Sequence, residues 1–204
     1  MEQSKESDNS TFRVCLYGEP VLRQEGSLVT EFDDKLKAFV KKLFRTMYEH
    51  EGIGLAAQQV GEAIQVCVID MFEGTQSGAG EYNFTYDGKQ VPLSLIMPLT
   101  IINPEVEVLS EDVSDFGEGC LSFPGIFIPK VIRPNYIKVK FQDVEGGRHE
   151  IVCDGLFARV ILHEVDHLFG KLFIDRIDRK MILRLEPKLK RLRRISRDYI
   201  KENK

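Results

Sequence analysis

"DGLFARVILHEVDHLFG", residues 154–170, is an apolar run with a polar cluster near its end. Asp154 supplies an N-cap residue and Gly170 a C-terminal stop, so the stretch reads as one helix. On a helix, positions four apart lie one above the other, which puts His163 and His167 on one face. Two imidazoles placed so can share one metal ion. Glu164 sits about 100° round the helix from His163, beside a bound metal rather than on it. A carboxylate there can take a proton from metal-activated water. The pattern is the H-E-x-x-H of metal hydrolases. Apolar neighbours bury both rings, and buried imidazoles need partners.

A metal held by two histidines needs a third protein ligand. The extended form with a third histidine is excluded, because Phe173 stands where that histidine would fall. His50 and His149 have no supporting context. Glu186 is a candidate, but it precedes Pro187 in a basic stretch. Cys120, in "FGEGCLSFPG" (116–125), is the more attractive source. A thiolate with two imidazoles suits zinc or iron and leaves a fourth position open for water. Cys15, Cys67 and Cys153 lie in apolar, strand-like runs and read as small buried hydrophobes.

A third stretch, "GIGLAAQQVG" (52–61), matches G-x-G-x-x-A. A dinucleotide fingerprint needs a strand before it and a helix after it. Here the order is reversed, so that reading is rejected. The glycines instead permit close approach of backbone to a ligand, and Gln59 offers an amide donor.

Around these motifs the chain is mixed α and β. "DDKLKAFVKKLFRTMYEHEG" carries Leu36, Phe39, Val40, Leu43, Phe44 and Met47 on one helical stripe, with Asp33 or Asp34 as cap and Gly52 as stop. "FRVCLYGEPVLRQEG" begins as a strand and breaks at Gly18 and Pro20. "AIQVCVID", "TIINPEVEVLS" and the two halves of "YIKVKFQDVEGGRHEIVCD" read as further strands. Residues 73–100 look like a polar surface insertion with a hairpin signal at Asp87-Gly88. Residues 1–11 are expected to be a disordered tail, 12–177 a catalytic domain, and 178–204 a basic C-terminal helix with Pro187 as a kink or fresh start. That arrangement is α+β, with antiparallel strands packed around the HEVDH helix.

Composition limits the function further. The 204 residues carry a net charge of −4 and a pI near 5.7, which argues against DNA binding by the whole molecule. No apolar run approaches the roughly 20 residues of a membrane span. The N-terminus lacks the apolar core of a secretory signal, so the four cysteines are expected to be thiols in a reducing cytoplasm.

With "GIGLAAQQ", "EGCLS" and "HEVDH" in this order, the chain resembles the peptide deformylase family, whose members remove the formyl group from the N-terminal methionine of new polypeptides. The resemblance implies Cys120, His163 and His167 as metal ligands and Glu164 as general base and acid. It implies the Gln59 side chain and the Leu121 backbone N–H as oxyanion donors. It implies ferrous iron as the native metal, replaceable by zinc, nickel or cobalt. Gly54 would pair with the substrate peptide. Ile53, Leu156 and Val160 would line the methionine slot, and Glu118 and Gly119 would also meet substrate. A formyl-Met peptide is then the substrate, and the basic C-terminal helix would contact the ribosome. Three other readings stand beside this one: an H-E-x-x-H peptidase using Glu186, a protein with a purely structural metal, and a chain that is partly a binding module through its basic C-terminal segment.

Asp166, the remaining polar residue of "HEVDH", needs a partner if it is buried. Arg133, in "VIRPNYIKVKF", is the predicted one, because arginine suits a buried carboxylate and this one is expected to start the strand after the cysteine loop. Arg159, seven residues earlier on the same helix and about 10 Å away along its axis, is the weaker choice.

Overall fold

A computed structural model describes residues 10–71 and 82–203. Most of the expected tail and the first part of the expected insertion therefore lie outside the described residues. Eight strands and three α-helices are formed among the described residues. The strands are β1 (Gly54–Ala56), β2 (Val66–Ile69), β3 (Phe84–Tyr86), β4 (Leu99–Val108), β5 (Val113–Gly119), β6 (Phe127–Pro134), β7 (Tyr136–Gln142) and β8 (Arg148–Asp154). The helices are α1 (Asp34–Glu49), α2 (Gly155–Leu168) and α3 (Arg179–Glu202). Six strands form one antiparallel sheet in the order β1-β2-β4-β7-β8-β3, and β5 pairs with β6 separately. The chain is thus α+β.

Helix α2 lies at the centre because it is apolar almost all round. Phe157, Ile161 and Leu168 are buried against Ile69, Ile101, Val139 and Ile151 of the large sheet. Its entry needs Gly155, at φ 56°, a conformation that L side chains rarely adopt. Asp154 occupies the N-cap position, but its side chain makes no cap bond. Its carboxylate instead accepts from the Asn83 backbone N at 2.5 Å and from Nδ2 at 3.1 Å. In α1, Asp33 does cap, accepting from the Leu36 N–H at 2.9 Å. The stripe of α1 packs Leu43 and Met47, both fully buried, on β1 and β2. A third cluster joins Leu22, Phe123, Ile128 and Phe173 to Leu189 and Leu192 of α3.

Four expectations are corrected. Residues 12–17 form no strand; through Cys15 and Tyr17 the segment makes single backbone bonds to two separate parts of the chain instead of joining a ladder. Of the expected surface insertion, residues 82–100 contribute to the fold. β3 pairs with β8, the Asp87-Gly88 turn closes it, and Leu93 and Leu99 enter the core. α3 continues through Pro187, so no fresh helix starts there. The proline there leaves the carbonyl four residues earlier without its helical partner, and that position is on an exposed turn, with Leu183 63% exposed. Arg133 lies near the end of β6, not at a strand start.

Candidate metal centre

Strand β5 ends at Gly119, and the chain turns at Cys120 toward the last two turns of α2. One ligand atom each from Cys120, His163 and His167 lies within 4.8 Å of the others, the one such cluster among the described residues. Cys120 Sγ is 3.3 Å from His167 Nε2. His163 Nδ1 meets the Glu118 carboxylate at 2.8 Å, leaving Nε2 as the nitrogen for Cys120 and the metal position. Glu186, by contrast, stays on α3, where Arg193 binds it at 2.6 Å.

The donor set fits a metal cation. Burial opposes charge on His163, yet its bonds to Cys120 and Glu118 push it up to about 10. A metal ion bound there would displace that proton. Burial, with His163 alongside, holds His167 well below the ordinary histidine range, in the neutral form that ligates metals. Beside them Glu164 is buried, and burial raises it to about 7. Its Oε2 has no hydrogen-bond partner among the described residues, so a buried oxygen stands ready for a proton next to the ligands.

Gln59 reaches this centre from the other side. Its Oε1 accepts from the Ala56 N–H at 2.9 Å, which fixes the amide. Its Nε2 then points at Cys120 Sγ, 3.4 Å away, and at Ser122 Oγ, 3.3 Å away. Gly54 of β1 passes so close to Glu164 that a Cβ there would overlap the carboxylate. Leu121 and Ile53 are half-buried at the rim, and Gly119 is exposed. Ile53 and half-buried Leu156 pack with Val160 in the core cluster around α2.

Behind the histidines runs a buried ionic network. Arg133 Nη1 donates to Asp166 Oδ2 at 2.6 Å, and the guanidinium is fully buried. The same arginine donates to both oxygens of Glu118, at 2.5 and 2.8 Å. Arg159 also donates to Glu118, and to Ser114, rather than to Asp166. Arg176 closes the array with two bonds of 2.6 Å to Asp166.

The family resemblance implies that Glu118 meets substrate. Its carboxylate instead faces inward and is taken up by Arg133, Arg159 and His163. Burial alone would raise Glu118, but those bonds outweigh it and hold the group well below the usual carboxylate range. Strand alternation could not have shown this, because β5 is irregular between Phe116 and Glu118 and both neighbours of Glu118 are glycines. Arg176 was missed because it lies beyond the end of α2 and no periodicity links it to Asp166.

A cysteine and an H-E-x-x-H pair converging beside a buried carboxylate define a mononuclear metallohydrolase. The polypeptide deformylase family model matches residues 11–181. A peptide deformylase of Opitutus terrae is 45% identical over 196 residues, spanning 95% of this chain and 98% of that one. The crystal structure of the Thermotoga maritima peptide deformylase, 38% identical, superposes with a TM-score of 0.67 over 83% of this chain and 99% of that one. The Synechococcus elongatus enzyme, solved in complex with actinonin, is 33% identical with a TM-score of 0.70, covering 94% and 89%. The chain belongs to the peptide deformylase family, metal-dependent hydrolases that remove the formyl group from N-terminal methionine.

Proposed function

We propose that deformylation here runs through Glu164, Gln59 and the Leu121 backbone N–H, around a metal held by Cys120, His163 and His167. The observation that carries this is the convergence of those three donors beside buried Glu164. The metal, when bound, acts as a Lewis acid that makes a water acidic and polarises the formyl oxygen. Glu164 takes the proton from the attacking water and returns it to the leaving amine, ending as it began. Gln59 Nε2 and the Leu121 N–H donate to the formyl oxygen as negative charge grows there, each worth a factor of about 10² to 10³ in rate. Gly54, on an edge strand, lets the peptide lie close to Glu164. Ile53, Leu156 and Val160 line the slot for the methionine side chain, with Gly119 at its mouth.

Ferrous iron is the proposed native metal, with zinc, nickel and cobalt as replacements. Metal analysis of anaerobically purified protein, paired with hydrolysis of formyl-Met and unmodified peptides, tests the whole reading. Metal-free, inactive protein would overturn it, and cleavage of unmodified peptides would favour a peptidase.

No described helix is long and apolar enough to cross a membrane, and a cytoplasmic enzyme fits a substrate made on ribosomes. α3 also offers a ribosome contact. Lys190, Arg191, Arg194 and Arg197 are exposed along it, and such a strip can neutralise RNA phosphates. Charge reversal at Arg191, Arg194 and Arg197 should abolish co-sedimentation with ribosomes at low salt; unchanged binding removes the contact.

A further inference from the structure

The loop carrying Gln59 and the loop carrying Leu121 and Ser122 come from distant parts of the chain, yet one short segment binds both. The Cys15 N–H donates to the Gln59 carbonyl at 2.7 Å, and two residues later the Tyr17 N–H donates to the Ser122 carbonyl at 2.9 Å. Residues two apart in a chain can lie no more than about 7 Å from one another. The spacing of the two loops is thereby limited. The Tyr17 ring adds to this by stacking on Phe123 with centroids 4.9 Å apart.

The segment is in turn fastened to α3. Ser196 is fully buried, and its hydroxyl lies 3.1 Å from both the Leu16 and the Tyr17 carbonyl. Gly18, at φ 110°, allows the close approach: a Cβ there would come within 2.8 Å of Arg193 Cα. From the other side, Glu19 accepts from the Leu16 N–H at 2.7 Å and pairs with Arg13 at 2.6 Å. Arg13 itself lies over the Tyr199 ring, 3.4 Å from its centroid.

We infer that Cys15–Tyr17, anchored by Ser196, is a positioning strap that sets the distance between the Gln59 amide and the Leu121 N–H. This rests on the reading of those two groups as the oxyanion donors. Ser196 acts through the strap and touches no reacting atom. Catalytic geometry is demanding: a misplacement of about 1 Å can cost about 10²-fold in rate. Loosening one anchor of the strap is a smaller change.

The test is a double-mutant cycle on the metal-loaded, full-length enzyme, read with a formyl-Met peptide. In Ser196→Ala, kcat should fall about tenfold with KM within about twofold, the signature of a lost transition-state contact. In a Gln59→Ala background the same change should have little further effect, because coupled groups are not additive. Leu36→Ala, at the start of α1 in a core cluster that holds no strap residue, should lower the melting temperature at least as much and leave kcat unchanged. Faster hydrogen exchange at the Cys15 and Tyr17 amides in Ser196→Ala would register the loosened strap independently of activity. An unchanged kcat in folded Ser196→Ala overturns the strap, as does a full tenfold loss persisting in Gln59→Ala, or an equal loss in Leu36→Ala. A Gln59→Ala enzyme of normal activity would instead refute the oxyanion reading beneath it.

Discussion

The Glu118 carboxylate lies 2.8 Å from His163 Nδ1 while also receiving Arg133 and Arg159. It therefore fixes which imidazole nitrogen faces the metal position, and ties that choice to the fold. Groups of this kind orient metal ligands, and losing one typically costs about 10- to 100-fold in metal affinity. Glu118→Gln keeps the shape and removes the charge. Competition with a chelator should show affinity falling by about that range. Wild-type affinity would mean His163 is held by packing alone.

Arg133 sits between two buried carboxylates, with no exposure of its own. Burial opposes ionisation of Asp166, but Arg176 and Arg133 hold it below the usual carboxylate range. Arg133→Met would leave both acids short of a partner. Breaking a buried pair costs about 3 to 5 kcal/mol. Arg159 and Arg176 remain on Glu118 and Asp166, which places the expected loss near the lower end, about 3 kcal/mol. Urea unfolding measures it, and a change under about 0.5 kcal/mol, the usual size at unremarkable surface sites, would refute the network's role in stability.

The HEVDH helix could be read from local pattern because both its metal-facing and core-facing positions follow one period. The Arg133–Asp166 contact followed from burial logic: an acid in an apolar helix must find a cation. The double duty of Arg133 did not follow, since it depends on the β5–β6 register that sets Ser114 opposite Arg133. Strand-like composition at 12–16 misled because apolar alternation says nothing of whether a neighbour strand is available. Nor did Asp154 declare its partner Asn83, which sits in a stretch that looked like surface insertion.

A pH dependence follows from His149, which bridges the Asp87 turn at 2.9 Å and Asp143 at 3.1 Å. Burial lowers His149, but its bonds to the two aspartates outweigh this and raise it above its ordinary value. A raised histidine stabilises fully below its unfolded value of about 6.5 and loses that contribution as pH climbs through the folded value. Asp87 and Asp143 are lowered in turn, so their share is lost as pH falls through the acid range. The melting-temperature gap between wild type and His149→Gln should thus be widest at about pH 5 to 6 and narrow toward pH 9. A gap independent of pH would show that the bridge carries no charge.

Gly54 and Glu164 give the sharpest test of the site. The glycine needs no unusual backbone angle; it is required because a methyl group there would overlap the Glu164 carboxylate. In Gly54→Ala the carboxylate must swing away from the ligands or β1 must move. Either displaces the base by a fraction of an ångström to an ångström, which costs about 10- to 100-fold in kcat. The carboxylate survives in that variant, whereas Glu164→Gln keeps the shape but cannot accept a proton. Glu164→Gln should therefore retain its metal and lose turnover by about 10² to 10⁴. Cys120→Ala should fail earlier, by not holding metal at all. Steady-state kinetics with metal content measured on each variant separates the three. Near-normal kcat in Gly54→Ala would show that Glu164 has room to spare, and near-normal turnover in Glu164→Gln would remove it as the base.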